Sequence, residues 1–273
     1  MTLADSYSYC RHIARSRAKN FYYSFRLLSR DRHDAICAIY AFMRECDDLS
    51  DEAGASIEKL EAWRRDMRVA LSGRLPDHAI WPAFADAARR FAIPHHVFED
   101  MIDGVASDLA PQSMETFDDL YRYCYRVASV VGLAVIHIFG FDDDRAPMLA
   151  EKCGIAFQLT NIIRDVAEDA KLGRCYLPAA DMRRFGVTAL TDSPGMRTLL
   201  RFEGERARAF YAEGAPLVAM IHPESRASLR ALIDIYSALL AKIARRDYGV
   251  FRERVRISTA VKTWLMLRAF VRS

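Results

Sequence analysis

Residues 161–178 read NIIRDVAEDAKLGRCYLP. Asn161, Asp165 and Asp169 recur at every fourth position, and Gln158 stands three residues before the first of them. That period belongs to a helix, which turns about 100° per residue. Gln158, Asp165 and Asp169 then point within roughly 40° of one direction, with Asn161 somewhat further round. Ile155, Leu159, Ile162 and Val166 form the adjacent apolar stripe. The polar row therefore borders the buried face, whereas a merely solvated row would oppose it. Carboxylates so placed lose hydration and drift towards neutrality unless a cation compensates them.

A second stretch, residues 33–54, reads HDAICAIYAFMRECDDLSDEAG and repeats the arrangement. Ile36, Tyr40 and Met43 lie on one stripe, and Asp47 and Asp51 continue it. Asp48 lies about 100° round from Asp47. The three acids make a D-D-x-x-D pattern at the C-terminal end of their helix, where the macrodipole gives an acid no support. Either cluster alone is a weak signal. Two of them, each bordering a core stripe, are a stronger one.

Working outward, periodicity is helical almost throughout and no region alternates in the manner of a strand. Helices are expected near 3–18, 31–50, 57–72, 79–92, 95–109, 117–139, 146–171, 195–220, 224–247 and 258–271. Ser56, Pro94 and Pro223 serve as starts, and Gly73 and Gly140 as stops. His95 and His96 read as a helix start and not as a metal pair. With 12 Gly and 9 Pro, the chain suits neither disorder nor a turn-rich β protein. The expected architecture is all-α, with residues 1–273 as a single domain.

A net charge of +3 with no strongly basic half gives no support to nucleic-acid binding. The segment ARRDYGVFRERVRIS, residues 244–258, is locally basic, and either a solvated helix end or an anion-facing surface accounts for it. The six cysteines form no C-x-x-C and read as small buried hydrophobes in a reducing cytosol. The longest uncharged run, residues 127–141, is short for a spanning helix and fits a buried one better. A cytoplasmic protein without a transmembrane segment is expected, with peripheral membrane contact left open.

Oxygen ligands without nearby Cys or His suit a hard divalent ion. Mg²⁺ takes one or two carboxylates, keeps waters and leaves positions for phosphate oxygens. Two facing acidic walls could thus hold a diphosphate between them. Arg44, Arg164 and Arg174 could grip phosphate in bidentate fashion or pair with the acids themselves.

The segments YCRHIARSRAKNFYYSF, AIYAFMRECDDLSDE, YCYRVASVVG, FQLTNIIRDVAEDAKLGRCYLP and YSALLAKIARRDYGVFRERV together resemble the squalene/phytoene synthase family. The likeness covers nearly the whole chain. It implies the isoprenoid (terpenoid) synthase fold, with helices around a central cavity, and Mg²⁺-dependent head-to-head condensation of two allylic prenyl diphosphates. Carried over by position, Asp47, Asp48 and Asp51 match the first aspartate motif. Asp165 and Asp169 match the second, with Asn161 and Gln158 on the same wall. Arg44 and Arg174 match basic positions around the diphosphates. Tyr40, Tyr123, Tyr176 and Tyr236 match aromatic positions lining or closing the cavity. Phe21, Phe25, Val127, Val131, Leu133 and Phe157 are further lining candidates, and Phe25 is expected to limit chain length. Asn20 departs from the small hydroxyl residue usual in the family.

Within the family the two motif segments look most like bacterial presqualene diphosphate synthases of the hopanoid pathway. The expected reaction is farnesyl diphosphate to presqualene diphosphate, with NADPH needed only for onward reduction to squalene. The alternative is a phytoene or dehydrosqualene synthase of the carotenoid pathway. A non-catalytic assembly factor is a remote reading, because both acidic motifs are intact. The expected partners are the prenyl diphosphates and a downstream reductase or other pathway enzymes.

Overall fold

The computed structural model describes the backbone of all residues except 19–20, 52–55, 110–113 and 273; the side chains of Phe21 and Asp51 also lie outside the description. The helices are α1 (Leu3–Arg17), α2 (Phe21–Phe25), α3 (Arg30–Asp51), α4 (Ile57–Leu71), α5 (Trp81–Arg90), α6 (His95–Ser107) and α7 (Phe117–Cys124). After a π-helical turn, Tyr125–Ser129, follow α8 (Val130–Phe139), α9 (Ala146–Lys171), α10 (Ala179–Arg184), α11 (Pro194–Gly214), α12 (Leu217–Met220), α13 (Pro223–Arg245) and α14 (Thr259–Val271). Among the described residues there is no strand, only an isolated bridge between Phe141 and Ile221. The all-α expectation holds.

Local chemistry sets the ends. The Thr2 hydroxyl accepts from the Asp5 amide while the Asp5 carboxylate accepts from the Thr2 amide, and Thr116 and Asp119 repeat this capping box at α7. Ser56, Ser193 and Ser258 cap α4, α11 and α14. Gly140, at φ +80°, ends α8 in a conformation that glycine adopts without strain.

Three departures from the expected helices have physical causes. The helix expected at 195–220 divides near Pro216, which lacks the amide needed to continue it. The helix expected at 117–139 carries the π-helical turn, an extra residue that no apolar period reveals. The short α2 and α10 fall below the length at which periodicity can be read.

Two buried clusters hold the helices. In one, Phe42 stacks on Phe84 at 4.4 Å between ring centres, and Trp63 lies 4.4 Å from Trp81. Such pairs add about 0.5–1.5 kcal/mol beyond simple burial. The other gathers Leu159, Ile163 and Val166 of α9 with Leu199 and Leu200 of α11 and Leu239 of α13. Between them α9 passes very close to the π-helical turn. A methyl group on Gly154 would stand 2.4 Å from the Ser129 Cα, so only glycine permits this approach. The Ser129 hydroxyl donates to the Glu151 carbonyl at 2.9 Å and closes the seam. All six cysteines are free thiols, five of them buried.

Candidate active site

Helices α3 and α9 flank a polar cavity of about 460 Å³. From α3 come Arg44, Asp47 and Ser50. From α9 come Gln158, Asn161, Arg164, Asp165 and Asp169. The positions follow from the stripes read above. Ile36 is buried and Met43 lines the cavity, so the next turns of the same face bring Asp47 to its wall. Buried Ile155, Leu159, Ile162 and Val166 anchor α9 and leave its polar row at the rim of the core. The loop after α9 adds Arg174 and Tyr176, and the π-helical turn adds Arg126 and Val127.

This polar cavity continues into an apolar one of similar volume, about 460 Å³. Met43, Asp47, Val127, Val131, Gln158, Asn161 and Arg164 border both. The apolar part is walled by Phe25, Tyr40, Phe157 and Tyr236, with Ile36, Val135 and Phe139 among the aliphatic and aromatic side chains around them. Phe157 and Tyr236 lie 4.7 Å apart, and Phe25 meets Tyr40 edge-on at 6.5 Å. The arrangement is a charged chamber opening into a greasy one.

Most of the residues singled out in the sequence converge here. Asp47, Asp165, Asp169, Gln158, Asn161, Arg44, Arg164, Arg174, Tyr123 and Tyr176 line the polar cavity. Phe25, Tyr40 and Tyr236 line the apolar one. Asp48 departs from the expectation. It lines neither cavity and is paired with the Arg44 guanidinium one turn earlier on α3. Its angular offset from Asp47 turns it away from the chamber. Leu133 also lines neither cavity and packs in the core instead. The Asp51 and Phe21 side chains, and Asn20, lie outside the described residues.

Charge is closely matched within the chamber. Arg164 grips Asp165 in a fork, and Arg254 reaches the same carboxylate from the C-terminal segment through two hydrogen bonds of 2.8 Å. Burial pushes the Asp165 carboxyl up, but the hydrogen bonds from Arg164 and Arg254 outweigh it and hold the group below the usual range. Asp169 goes the other way: burial, and then the charge of Asp165, raise it to about 6. The Tyr123 and Tyr176 rings stack at 4.7 Å, and both hydroxyls donate to Asp108, at 3.3 and 3.2 Å. Burial raises both phenols, Tyr176 to about 12, so each remains a hydrogen-bond donor at neutral pH.

The donor set suits a hard divalent cation. It is made of carboxylate and amide oxygens, and the buried Asn161 Oδ1 has no hydrogen-bond partner among the described residues. Asp169 is a carboxylate whose surroundings undercompensate its charge. Among the described residues no three carboxylate, imidazole or thiol groups form a ready-made cage.

Asp108, Arg126 and Arg254 are among the chamber residues that escaped the sequence reading. Asp108 follows α6 outside any motif, so nothing local marks it. Arg126 and Arg254 lie inside segments that carry the family resemblance, but no stripe set them apart from neighbouring arginines.

Comparison with known proteins agrees with this geometry. The squalene/phytoene synthase family model matches residues 14–260. The chain is 35% identical to the phytoene synthase of Arthrospira platensis, over 100% of this chain and 94% of that one. It is 34% identical to the phytoene synthase of Mycobacterium tuberculosis, over 99% and 92%. Among solved structures, a dehydrosqualene synthase in complex with ligand superposes with a TM-score of 0.93 at 30% identity, over 99% of this chain and 97% of that one. The squalene synthase HpnC from Alicyclobacillus acidocaldarius gives 0.83 at 30% identity, over 90% and 95%. Sequence, fold and chamber therefore agree that the chain is a prenyltransferase of the squalene/phytoene synthase family.

Proposed function

We propose that this enzyme joins two prenyl diphosphates head to head and yields a linear carotenoid-type hydrocarbon. The observation that carries the reading is the chamber itself, in which Asp47 of α3 and Asp165 and Asp169 of α9 border one polar cavity continuous with an apolar one. In this reading the diphosphate head groups sit in the polar part and the isoprenoid chains in the apolar part. Asp47, Asp165 and Asp169, with Asn161 Oδ1, would hold Mg²⁺; Asp48 would take part only on rearrangement of the end of α3. When bound, Mg²⁺ supplies Lewis acidity to the diphosphate oxygens and stabilises the leaving group.

The protein's own groups do the rest. Arg44, Arg164, Arg174 and Arg254 offer forked donors to diphosphate oxygens. Departure of one diphosphate leaves an allylic carbocation. The double bond of the second chain attacks it and, with a proton lost to the released diphosphate, closes a cyclopropyl diphosphate. The diphosphate of that intermediate then departs, so that rearrangement and loss of a second proton give the hydrocarbon. Tyr123 and Tyr176, held by Asp108, present phenolic oxygens at the polar wall without supplying a base. Phe25, Tyr40, Phe157 and Tyr236 hold the chains, keep water from the cation and turn ring faces to developing positive charge.

For the product, support falls on the alternative of the sequence reading more than on presqualene diphosphate. The curated relatives from Arthrospira and Mycobacterium are phytoene synthases, which favours a forty-carbon product from geranylgeranyl diphosphate. The likeness to a dehydrosqualene synthase structure favours the thirty-carbon counterpart from farnesyl diphosphate as the second reading. Incubation of the purified enzyme with each prenyl diphosphate and Mg²⁺, with and without NADPH, separates the readings by product mass. Phytoene or dehydrosqualene formed without NADPH supports the proposal. Presqualene diphosphate accumulating alone, or squalene appearing on addition of NADPH, overturns it.

A further inference from the structure

Helix α14 packs on α13 and α2 through the buried side chains of Lys262, Leu265 and Ala269. The opposite side of such a helix should be polar. Here it carries Trp264, Leu267, Phe270 and Val271, exposed by 56%, 62%, 67% and 83%. At about 100° per residue, Trp264, Leu267 and Val271 point within roughly 60° of one direction, and Phe270 lies about 60° beyond Leu267. Thr263 is the polar residue among them. Scattered apolar residues on a surface are ordinary, but a contiguous row along one helix is not.

Charge indicates what covers this row. From Arg254 to Arg272 the chain has Arg254, Arg256, Lys262, Arg268 and Arg272 and no Asp or Glu. Three of these are engaged within the fold. Arg254 holds Asp165, Lys262 sits 5.2 Å from the centre of the Tyr23 ring, and Arg268 pairs with Asp234 at 2.7 Å. Arg256 and Arg272 are exposed and flank the apolar row at its two ends. An aromatic and leucine face bordered by arginines suits the headgroup–acyl boundary of an anionic bilayer. A second copy of the chain fits less well. A two-fold pairing would set basic flank against basic flank. The face of a 13-residue helix is also small, about 20 Å by 10 Å, against the roughly 800 Å² each partner buries in a standard interface.

Position supplies a reason for such contact. Val255, Arg256, Ile257 and Lys262, the approach to α14 and its first turn, border the apolar cavity. We infer that the outward face of α14 docks the protein on an anionic lipid surface, next to the cavity that holds the apolar chains. This goes beyond the proposed chemistry, and the docking itself can be measured without substrate.

The native tryptophans make the test direct. Trp63 and Trp81 are buried, at 8% and 0% exposure, so Trp264 is the tryptophan able to report on a surface event. The full chain is mixed with vesicles of phosphatidylcholine alone, or of phosphatidylcholine with phosphatidylglycerol. With the anionic vesicles, emission is expected to shift to shorter wavelength and to be quenched by brominated acyl chains. Added salt weakens the binding, and phosphatidylcholine alone gives little of it. A Leu267→Ser/Phe270→Ser variant with unchanged circular dichroism is expected to bind roughly tenfold more weakly or worse. Three results would each overturn the inference: no spectral change with anionic vesicles, equal binding to both vesicle types, or unaltered binding by the variant. A dimer in light scattering that the same substitutions dissociate, without vesicle binding, would assign the face to a second copy instead.

Discussion

Phe25 offers a quantitative test of how the chamber measures chain length. It is 4% exposed, lies edge-on to Tyr40 and borders the apolar cavity but not the polar one. Truncation to alanine removes a phenyl ring, six carbons against the five of one isoprene unit. At about 0.8 kcal/mol per buried carbon, an added isoprene unit could gain roughly 4 kcal/mol, or about a thousandfold in preference. Partial collapse of the walls around the new space should reduce this to roughly 30-fold. The same truncation costs about 3–5 kcal/mol of stability, so Phe25→Leu, a milder change, is made alongside it. The assay is a competition between farnesyl, geranylgeranyl and geranylfarnesyl diphosphates, read as product ratios by mass spectrometry. Preference should move towards the chain one unit longer than the natural substrate, more in the alanine variant than in the leucine one. Ratios unchanged within about threefold in both folded variants would show that Phe25 does not set the depth.

Other parts of the structure make separate predictions. Replacing Arg254 with Gln removes two hydrogen bonds to Asp165 and a cation from the chamber; kcat/KM should fall roughly 10- to 100-fold with little change in Tm, and unaltered kinetics would exclude Arg254 from the site. Glu203 of α11 is buried, accepts from Arg206 at 2.8 Å, and leaves its Oε2 without a partner among the described residues. Burial raises its carboxyl from 4.5 to about 7, so the stability tied to its protonated form is complete below pH 4.5 and is lost as pH rises through about 7. Relative to Glu203→Gln, the native protein should lose roughly 3 kcal/mol over that window in urea titrations, and parallel pH curves would contradict this. Gly154→Ala should drive α9 away from the π-helical turn at a cost of about 2 kcal/mol, or roughly 4–8 °C in Tm; an unchanged Tm would mean that the seam is looser than it stands here.

Long helices and their faces were legible because apolar period and capping chemistry act locally. Asp47, Asp165 and Asp169 could be placed at the edge of the core from their angular relation to Ile36, Met43, Ile162 and Val166, and the structure puts them there. Pairings across the chain were not legible. Nothing near Asp108 announces that Tyr123 and Tyr176 will share it, and nothing near Arg254 announces Asp165, 89 residues earlier. Asp48 shows the limit of a linear motif, since about 100° of helix rotation separates its direction from that of Asp47 and points it to Arg44, one turn earlier. The π-helical turn left no trace in the pattern, yet it places Arg126 and Val127 at the chamber wall. The outward row on α14 was visible as letters but not as a surface, because only the packing of Leu265 and Ala269 decides which side is covered.

The proposed chemistry requires α3 and α9 to hold divalent metal between them so that diphosphate can leave into a dry chamber. Crystals grown with Mn²⁺ and a non-ionisable thiolo-diphosphate analogue of the preferred substrate test it most directly, by anomalous scattering at the manganese edge. Manganese is expected between Asp47 and the Asp165–Asp169 row, bound to carboxylate and diphosphate oxygens together, with the isoprenoid tail beside Phe25 and Phe157. An analogue bound with no anomalous signal between the two helices, or with the metal held elsewhere on the protein, would contradict it.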